Sequence, residues 1–173
     1  ERANLDGVEI RPVDVGGVSG EWVLAAGADP VRRLLYLHGG AFTMGSCRSH
    51  RGITATLSRL AGAAVLAIDY RLMPEHRRLD CLADCQRAYR WILDNGPQGA
   101  APLRTLFVAG DSAGGNTSGG FGELGVFAGA GVLTDYQVAF IGPPLREDVP
   151  AALSSAVSRF PSPALPPALV RRS

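Results

Sequence analysis

The sequence predicts an α/β fold: a mostly parallel sheet with helices on both faces, entered through an N-terminal β-hairpin. Three observations lead there. Short apolar runs at residues 34–37, 64–68 and 105–109 alternate with two stretches of helical character, the pattern of parallel strands joined by crossovers. These runs are apolar at nearly every position rather than at alternate ones, as strands covered on both sides require. Two extended segments precede them, parted by Gly16 and Gly17.

In chain order, residues 8–15 and 18–26 form the hairpin, and Pro12, which cannot donate to a ladder, marks the first of them as an edge strand. The run at 34–37 is the first buried strand. A helix is expected near 49–60, a second buried strand at 64–68, a second helix near 79–93 and a third strand at 105–109. In the second helix Leu82, Cys85, Tyr89 and Ile92 recur at three- and four-residue intervals, which predicts an apolar stripe turned to the sheet. The expected organisation is residues 1–116 as the folded α/β part and residues 117–173 as an atypical Gly-, Pro- and Ala-rich tail of irregular structure. Glycines recur there where a sheet-covering helix would stand, each costing about 1 kcal/mol relative to Ala in a helix interior, and seven prolines follow from Pro143 onward.

Composition narrows the function classes. The 173 residues are 46% hydrophobic and 19% charged with a formal net charge of +1, an ordinary globular balance without a basic stripe. Nucleic acid and anionic membrane surfaces are therefore not expected partners, no stable membrane insertion is expected, and a small molecule is. Three cysteines, Cys47, Cys81 and Cys85, without a secretory leader pattern predict a reducing, cytoplasmic setting. Cys81 and Cys85 would share a helix face, but two thiols are too few to bind a metal, and the reading is small buried side chains. No metal and no cofactor are expected. Oligomeric state is not legible.

The chemistry concentrates at Gly110-Asp111-Ser112-Ala113-Gly114. A G-x-S-x-G that follows a buried strand and opens a helix is a nucleophile elbow, a sharp turn that lifts the serine hydroxyl off the sheet edge. Neighbouring backbone approaches such a turn closely, which is why its flanks lack side chains, and the serine itself holds an uncommon conformation. The Ala113 amide would then point outward to stabilise the oxygen of a tetrahedral intermediate, helped by the positive end of the helix it begins. A glycine-rich loop with an incidental serine is the plainer alternative. Against it, His38-Gly39-Gly40-Ala41-Phe42 follows the first buried strand, where the backbone amides of Gly39 and Gly40 would complete an oxyanion hole. Between the two lies Asp69-Tyr70-Arg71-Leu72-Met73-Pro74-Glu75-His76, leaving the second buried strand.

These three motifs, in this order and spacing, resemble the hormone-sensitive-lipase-like (family IV) bacterial esterases of the α/β-hydrolase fold, with a flavour of small carboxylesterases and lactone hydrolases. The resemblance covers roughly residues 8–116. It implies Ser112 as nucleophile, the backbone amides of Gly39, Gly40 and Ala113 as oxyanion hole, and hydrolysis of carboxylic esters with short to medium acyl chains, or of lactones. His38 and the loop from Tyr70 to His76 would shape the site rather than act as base.

One departure is plain. Triad members in this fold follow the order Ser, then Asp or Glu, then His, and no histidine follows His76. Glu123, Asp135, Glu147 and Asp148 stand in no recognisable motif and read as solvated carboxylates. Asp111 belongs to the elbow and is not a triad acid. The expectation is a chain truncated or frameshifted after Asn116 and impaired in turnover, the alternative a non-catalytic remnant or binding protein that retains the acyl-oxygen pocket. An unrelated cytosolic peptidase is a further option.

Overall fold

A computed structural model describes residues 4–115. The expected tail at 117–173, with Glu123, Asp135, Glu147 and Asp148, lies outside the described residues. In chain order the elements are β1 (Val8–Asp14), β2 (Ser19–Ala25), β3 (Asp29–Leu37), α1 (Arg51–Ala61) preceded by a 3₁₀ turn at Arg48–His50, β4 (Ala63–Ile68), α2 (Arg78–Asp94), a short hairpin of β5 (Asn95–Gly96) and β6 (Gly99–Ala100), and β7 (Thr105–Gly110).

Five strands form one sheet in the order β1-β2-β4-β3-β7. β3 runs parallel to both β4 and β7, while β1 and β2 form the antiparallel margin. This is the expected mostly parallel sheet with its N-terminal hairpin. Pro12 sits on β1, at the end of the strand order, where its missing N–H breaks no ladder to a further strand.

Alternation along the central strands sorts the core into two layers. Leu35, Leu37, Leu66, Ile68, Leu106 and Val108 pack with Cys81, Cys85, Ala88 and Ile92 of α2. Leu34, Tyr36, Val65, Ala67, Phe107 and Ala109 pack with Ala55 and Leu57 of α1. Because both faces are covered, β4 is buried at all its positions and carries no polar residue.

The stripe on α2 differs from the one expected. Cys85 and Ile92 are fully buried, but Leu82 and Tyr89 are only partly so, and Cys81, Asp84 and Ala88 complete the inner face. Small side chains face the sheet and bulkier ones flank them. Asp84 is buried without being apolar because Arg71 donates to it from Nε at 2.7 Å and from Nη2 at 2.8 Å. All three cysteines are buried free thiols.

Midway along β3, Arg33 is wholly buried and its side chain reaches back toward the N-terminal end of the strand at Pro30. It donates to the carbonyls of Pro30, Ile92, Leu93, Ala101 and Pro102 at 2.8–3.2 Å. It thereby closes the C-terminal end of α2 and the following connection against the sheet, where carbonyls without helical partners would otherwise be orphaned.

Candidate active site

Parallel pairing determines where the two motifs meet. Leu37, the last residue of β3, stands opposite Gly110, the last residue of β7, so the loops leaving both strands emerge side by side at the carboxyl end of the sheet. In open α/β sheets this is where ligands bind.

After β7 the chain turns sharply. Ser112 has φ +48°, a left-handed conformation costly for any residue with a Cβ, and helical structure opens at Ala113. The turn is closed by the Gly114 amide, which donates to the Asp111 carbonyl at 2.8 Å. Its flanking glycines are sterically required: a Cβ on Gly114 would lie 1.9 Å from the Leu37 carbonyl oxygen, and one on Gly110 would lie 2.5 Å from the Gly114 carbonyl carbon. The Ser112 side chain is exposed.

After β3 the backbone is left-handed at three successive residues: Gly40 (φ +124°), Ala41 (φ +54°) and Phe42 (φ +63°). Only the first is a glycine, so the turn is held against its local preference. The Gly40 carbonyl accepts from the amides of Thr43 and Met44, and the Phe42 carbonyl accepts from the Met73 amide of the second loop. Among the described residues no hydrogen bond engages the Gly40 or Ala41 amide.

Gly39 does not present the open amide that the sequence led us to expect. Its N–H donates to Asp111 Oδ1 at 2.8 Å, and a Cβ there would collide with that carboxylate at 2.2 Å. Glycine is needed at 39 because the elbow aspartate lies against it. Asp111 is in fact the hub of the site: the Tyr36 hydroxyl donates to the same oxygen at 2.6 Å, and His50 Nε2 stands 3.5 Å from Oδ2. Burial would raise the Asp111 pKa, but the hydrogen bonds from His50, Tyr36 and Gly39 outweigh it and hold the carboxyl down at about 2.

The three histidines differ. His38 is buried, with Nδ1 2.8 Å from the Gly39 carbonyl, and its ring stacks on Tyr70 at 4.2 Å between centroids. The Tyr70 hydroxyl donates to the His38 carbonyl. Burial lowers the His38 pKa, and the acceptor at the Gly39 carbonyl favours a proton on Nδ1. His50 precedes α1 and is drawn to Asp111. His76 is exposed on the second loop, its backbone amide given to Leu72.

A profile of the α/β-hydrolase fold matches residues 34–121, which spans both motifs. The chain belongs to the α/β-hydrolase family. Within this family its likeness runs to the hormone-sensitive-lipase-like branch. It is 47% identical over 102 residues to an acetyl-hydrolase of Streptomyces hygroscopicus, covering 59% of this chain and 32% of that protein. To the esterase LipI of Mycobacterium tuberculosis it is 44% identical over 82 residues, 47% of this chain and 26% of that one. The crystal structure of an esterase/lipase from an uncultured bacterium superposes with a TM-score of 0.60 at 43% identity, covering 68% of this chain and 38% of that chain. An esterase from the bacterial hormone-sensitive lipase family gives 0.59 at 41% identity, over 65% and 37%. The chain thus spans about a third or less of the curated relatives it matches.

Of the residues expected to form the hydrolase site, the fold brings the loop of Gly39 and Gly40 beside the elbow of Ser112 and Ala113. Missed in the sequence were the Ala41 turn and the convergence of Tyr36, Gly39 and His50 on Asp111. Alternation put Tyr36 on the α1 face, and that was the one available signal. No helix among the described residues is long and apolar enough to cross a membrane.

Proposed function

We propose that this chain carries the nucleophile and oxyanion-hole portion of a serine esterase acting on small carboxylic esters, short- to medium-chain acyl esters or lactones. The observation that carries the reading is the strained, exposed Ser112 on a strand-to-helix turn, next to a second strained turn whose amides at Gly40 and Ala41 make no hydrogen bond among the described residues. Strain concentrated at two adjacent turns is characteristic of functional sites.

In this reading Ser112 Oγ attacks the acyl carbon and its proton passes to a base. The carbonyl π electrons move to the oxygen, and the resulting oxyanion is met by the amides of Gly40 and Ala113, with Ala41 beside them. Collapse of the intermediate expels the alcohol and leaves an acyl-serine for water to cleave. Gly39 serves the hole indirectly, by tying its loop to Asp111. Residues 1–116 form the α/β part of this arrangement, and the tail follows it.

The base is the open place. All three histidines precede the elbow. His38 faces the Gly39 carbonyl, and both ring nitrogens of His50 face partners of their own. The chain alone is therefore expected to turn over esters slowly, since a positioned base contributes typically 10²–10⁴-fold. A second reading is a binding form that keeps the acyl-oxygen pocket, consistent with the engagement of both His38 and His50 by other groups. Incubation with a fluorophosphonate followed by peptide mapping tests the proposal. Labelling confined to Ser112 and lost in Ser112→Ala supports an acyl-transfer site. No labelling, with ester binding retained, leaves the binding form.

A further inference from the structure

His50 is a titratable group at this site that the proposed chemistry leaves unused. Its Nδ1 is 3.2 Å from the Ser46 carbonyl oxygen and 2.9 Å from Ser49 Oγ, while Nε2 is 3.5 Å from Asp111 Oδ2. A carbonyl and a carboxylate only accept. The Ser49 hydroxyl donates its own proton to the Ser46 carbonyl at 2.9 Å, so it too presents a lone pair to the ring. An imidazole that donates on both sides is an imidazolium, and the Asp111 carboxylate faces the nitrogen that would carry the second proton.

We infer that His50 is a positioning residue for the oxyanion loop: as an imidazolium between Ser46 and Asp111 it orients the Asp111 carboxylate, which fixes the Gly39 amide and, with it, the strained turn at Gly40 and Ala41 beside Ser112. The inference rests on reading Ser112 and these amides as an acyl-transfer site.

The surroundings divide for and against the cation. Arg48, Arg51 and the start of α1 repel a positive ring, but Arg48 is exposed and Arg51 is engaged by Glu21 at 2.7 Å. From the C-terminal end of β3, the Tyr36 ring lies 6.1 Å from that of His50 and the His38 ring stacks on it at 5.5 Å, and burial lowers the His38 pKa. Just after β4, Asp69 accepts from the Cys47 amide at 2.7 Å and is committed there. From the elbow, Asp111 faces the ring directly. The Asp111 carboxylate facing the ring outweighs burial and raises the His50 pKa.

The test is nuclear magnetic resonance on the isotope-labelled full chain across about pH 5–9, the range over which imidazoles titrate. The Gly39 amide shift should follow the His50 ring, with a midpoint above about 6.5, and should become flat in His50→Gln. In Asp111→Asn the His50 midpoint should fall back toward or below that of a free imidazole. A Gly39 amide indifferent to pH in the unsubstituted chain, or one titrating unchanged in His50→Gln, overturns the inference. So does an unmoved His50 midpoint in Asp111→Asn, which decides the matter even if His50→Gln does not fold. Fluorophosphonate labelling in parallel separates the two readings. Intact Gly39 titration without labelling supports the positioning link and removes the esterase reading, whereas labelling without titration removes the link alone.

Discussion

The two ends of β3 bury polar groups in opposite ways. Toward the N-terminal side Arg33, where the register to β4 shifts, satisfies five carbonyls. At the C-terminal end His38 Nε2 is buried without a hydrogen-bond partner among the described residues, and the next turn runs left-handed through Gly40, Ala41 and Phe42. Buried polar groups are nearly always paired, and exceptions mark places where structure is held for another purpose. One end of the strand closes its hydrogen bonds to hold the sheet together. The other leaves donors and strain where a ligand would arrive.

The largest effect that would sharpen this contrast is expected from Arg33→Met. The apolar replacement fills most of the space but leaves carbonyls of Ile92, Leu93, Ala101 and Pro102 without donors. Each orphaned group costs about 1–3 kcal/mol, so a total loss of roughly 3–5 kcal/mol is expected in urea unfolding, with some carbonyls recovering water. A loss under about 1 kcal/mol would mean that this end is no more closed than the other.

At the opposite end Gly114→Ala comes next. A Cβ placed 1.9 Å from the Leu37 carbonyl oxygen meets backbone, which cannot swing aside like a side chain. A destabilisation of about 3 kcal/mol is expected, accompanied by displacement of the elbow and loss of Ser112 labelling. Wild-type stability in this variant would show that β3 and the elbow are less tightly apposed than the geometry indicates.

These two positions also show what was legible beforehand. The close approach at Gly110 and Gly114 could be read from the sequence, because a glycine pair around a serine after an apolar run has few other physical reasons. The succession of apolar strands and helices and the edge role of Pro12 were legible for the same kind of reason, since apolar runs and missing donors are local properties. Arg33 was not. Nothing in a run of Val31-Arg32-Arg33-Leu34 says which arginine turns inward, and the carbonyls it meets come from residues some sixty positions later. The site divides likewise. Ser112 and the glycine loop were visible as motifs, whereas the meeting of Tyr36, Gly39 and His50 at Asp111 depends on β3 and β7 being neighbours. The left-handed turn at Ala41 and Phe42 was invisible because neither residue type favours it.

Acid titration gives a smaller effect. The folded pKa of Asp111 is lowered, so its contribution to stability is present above the ordinary carboxylate value of about 3.9. It is lost as pH falls through about 2. By linkage that contribution is at most about 2–3 kcal/mol, and less once solvent screening of this partly exposed carboxylate is counted. Comparing the urea-unfolding free energy of the chain and of Asp111→Asn between neutral pH and pH 2 should show a difference that shrinks on acidification. A difference that stays constant or grows would mean that Asp111 is held no better in the folded chain than in the unfolded one.

The smallest expected effect has the opposite sign, and it addresses the contrast most directly. Ser112 carries a Cβ at φ +48°, where such a residue loses roughly 1–2 kcal/mol relative to right-handed geometry and glycine loses little. Ser112→Gly should relieve that strain, but glycine also gains freedom in the unfolded chain, which takes back about half of the benefit. The net expectation is a stabilisation of about 0.5–1 kcal/mol in urea unfolding, together with complete loss of fluorophosphonate labelling. Ser112→Ala, which keeps the Cβ and the strain, should lose labelling without the stability gain. This pair separates strain from chemistry: both remove the hydroxyl, and only one removes the reason the turn is costly. If Ser112→Gly were as destabilising as Gly114→Ala, the elbow would be supported by side-chain contacts of Ser112 rather than strained by its backbone, and the two ends of β3 would not differ in kind.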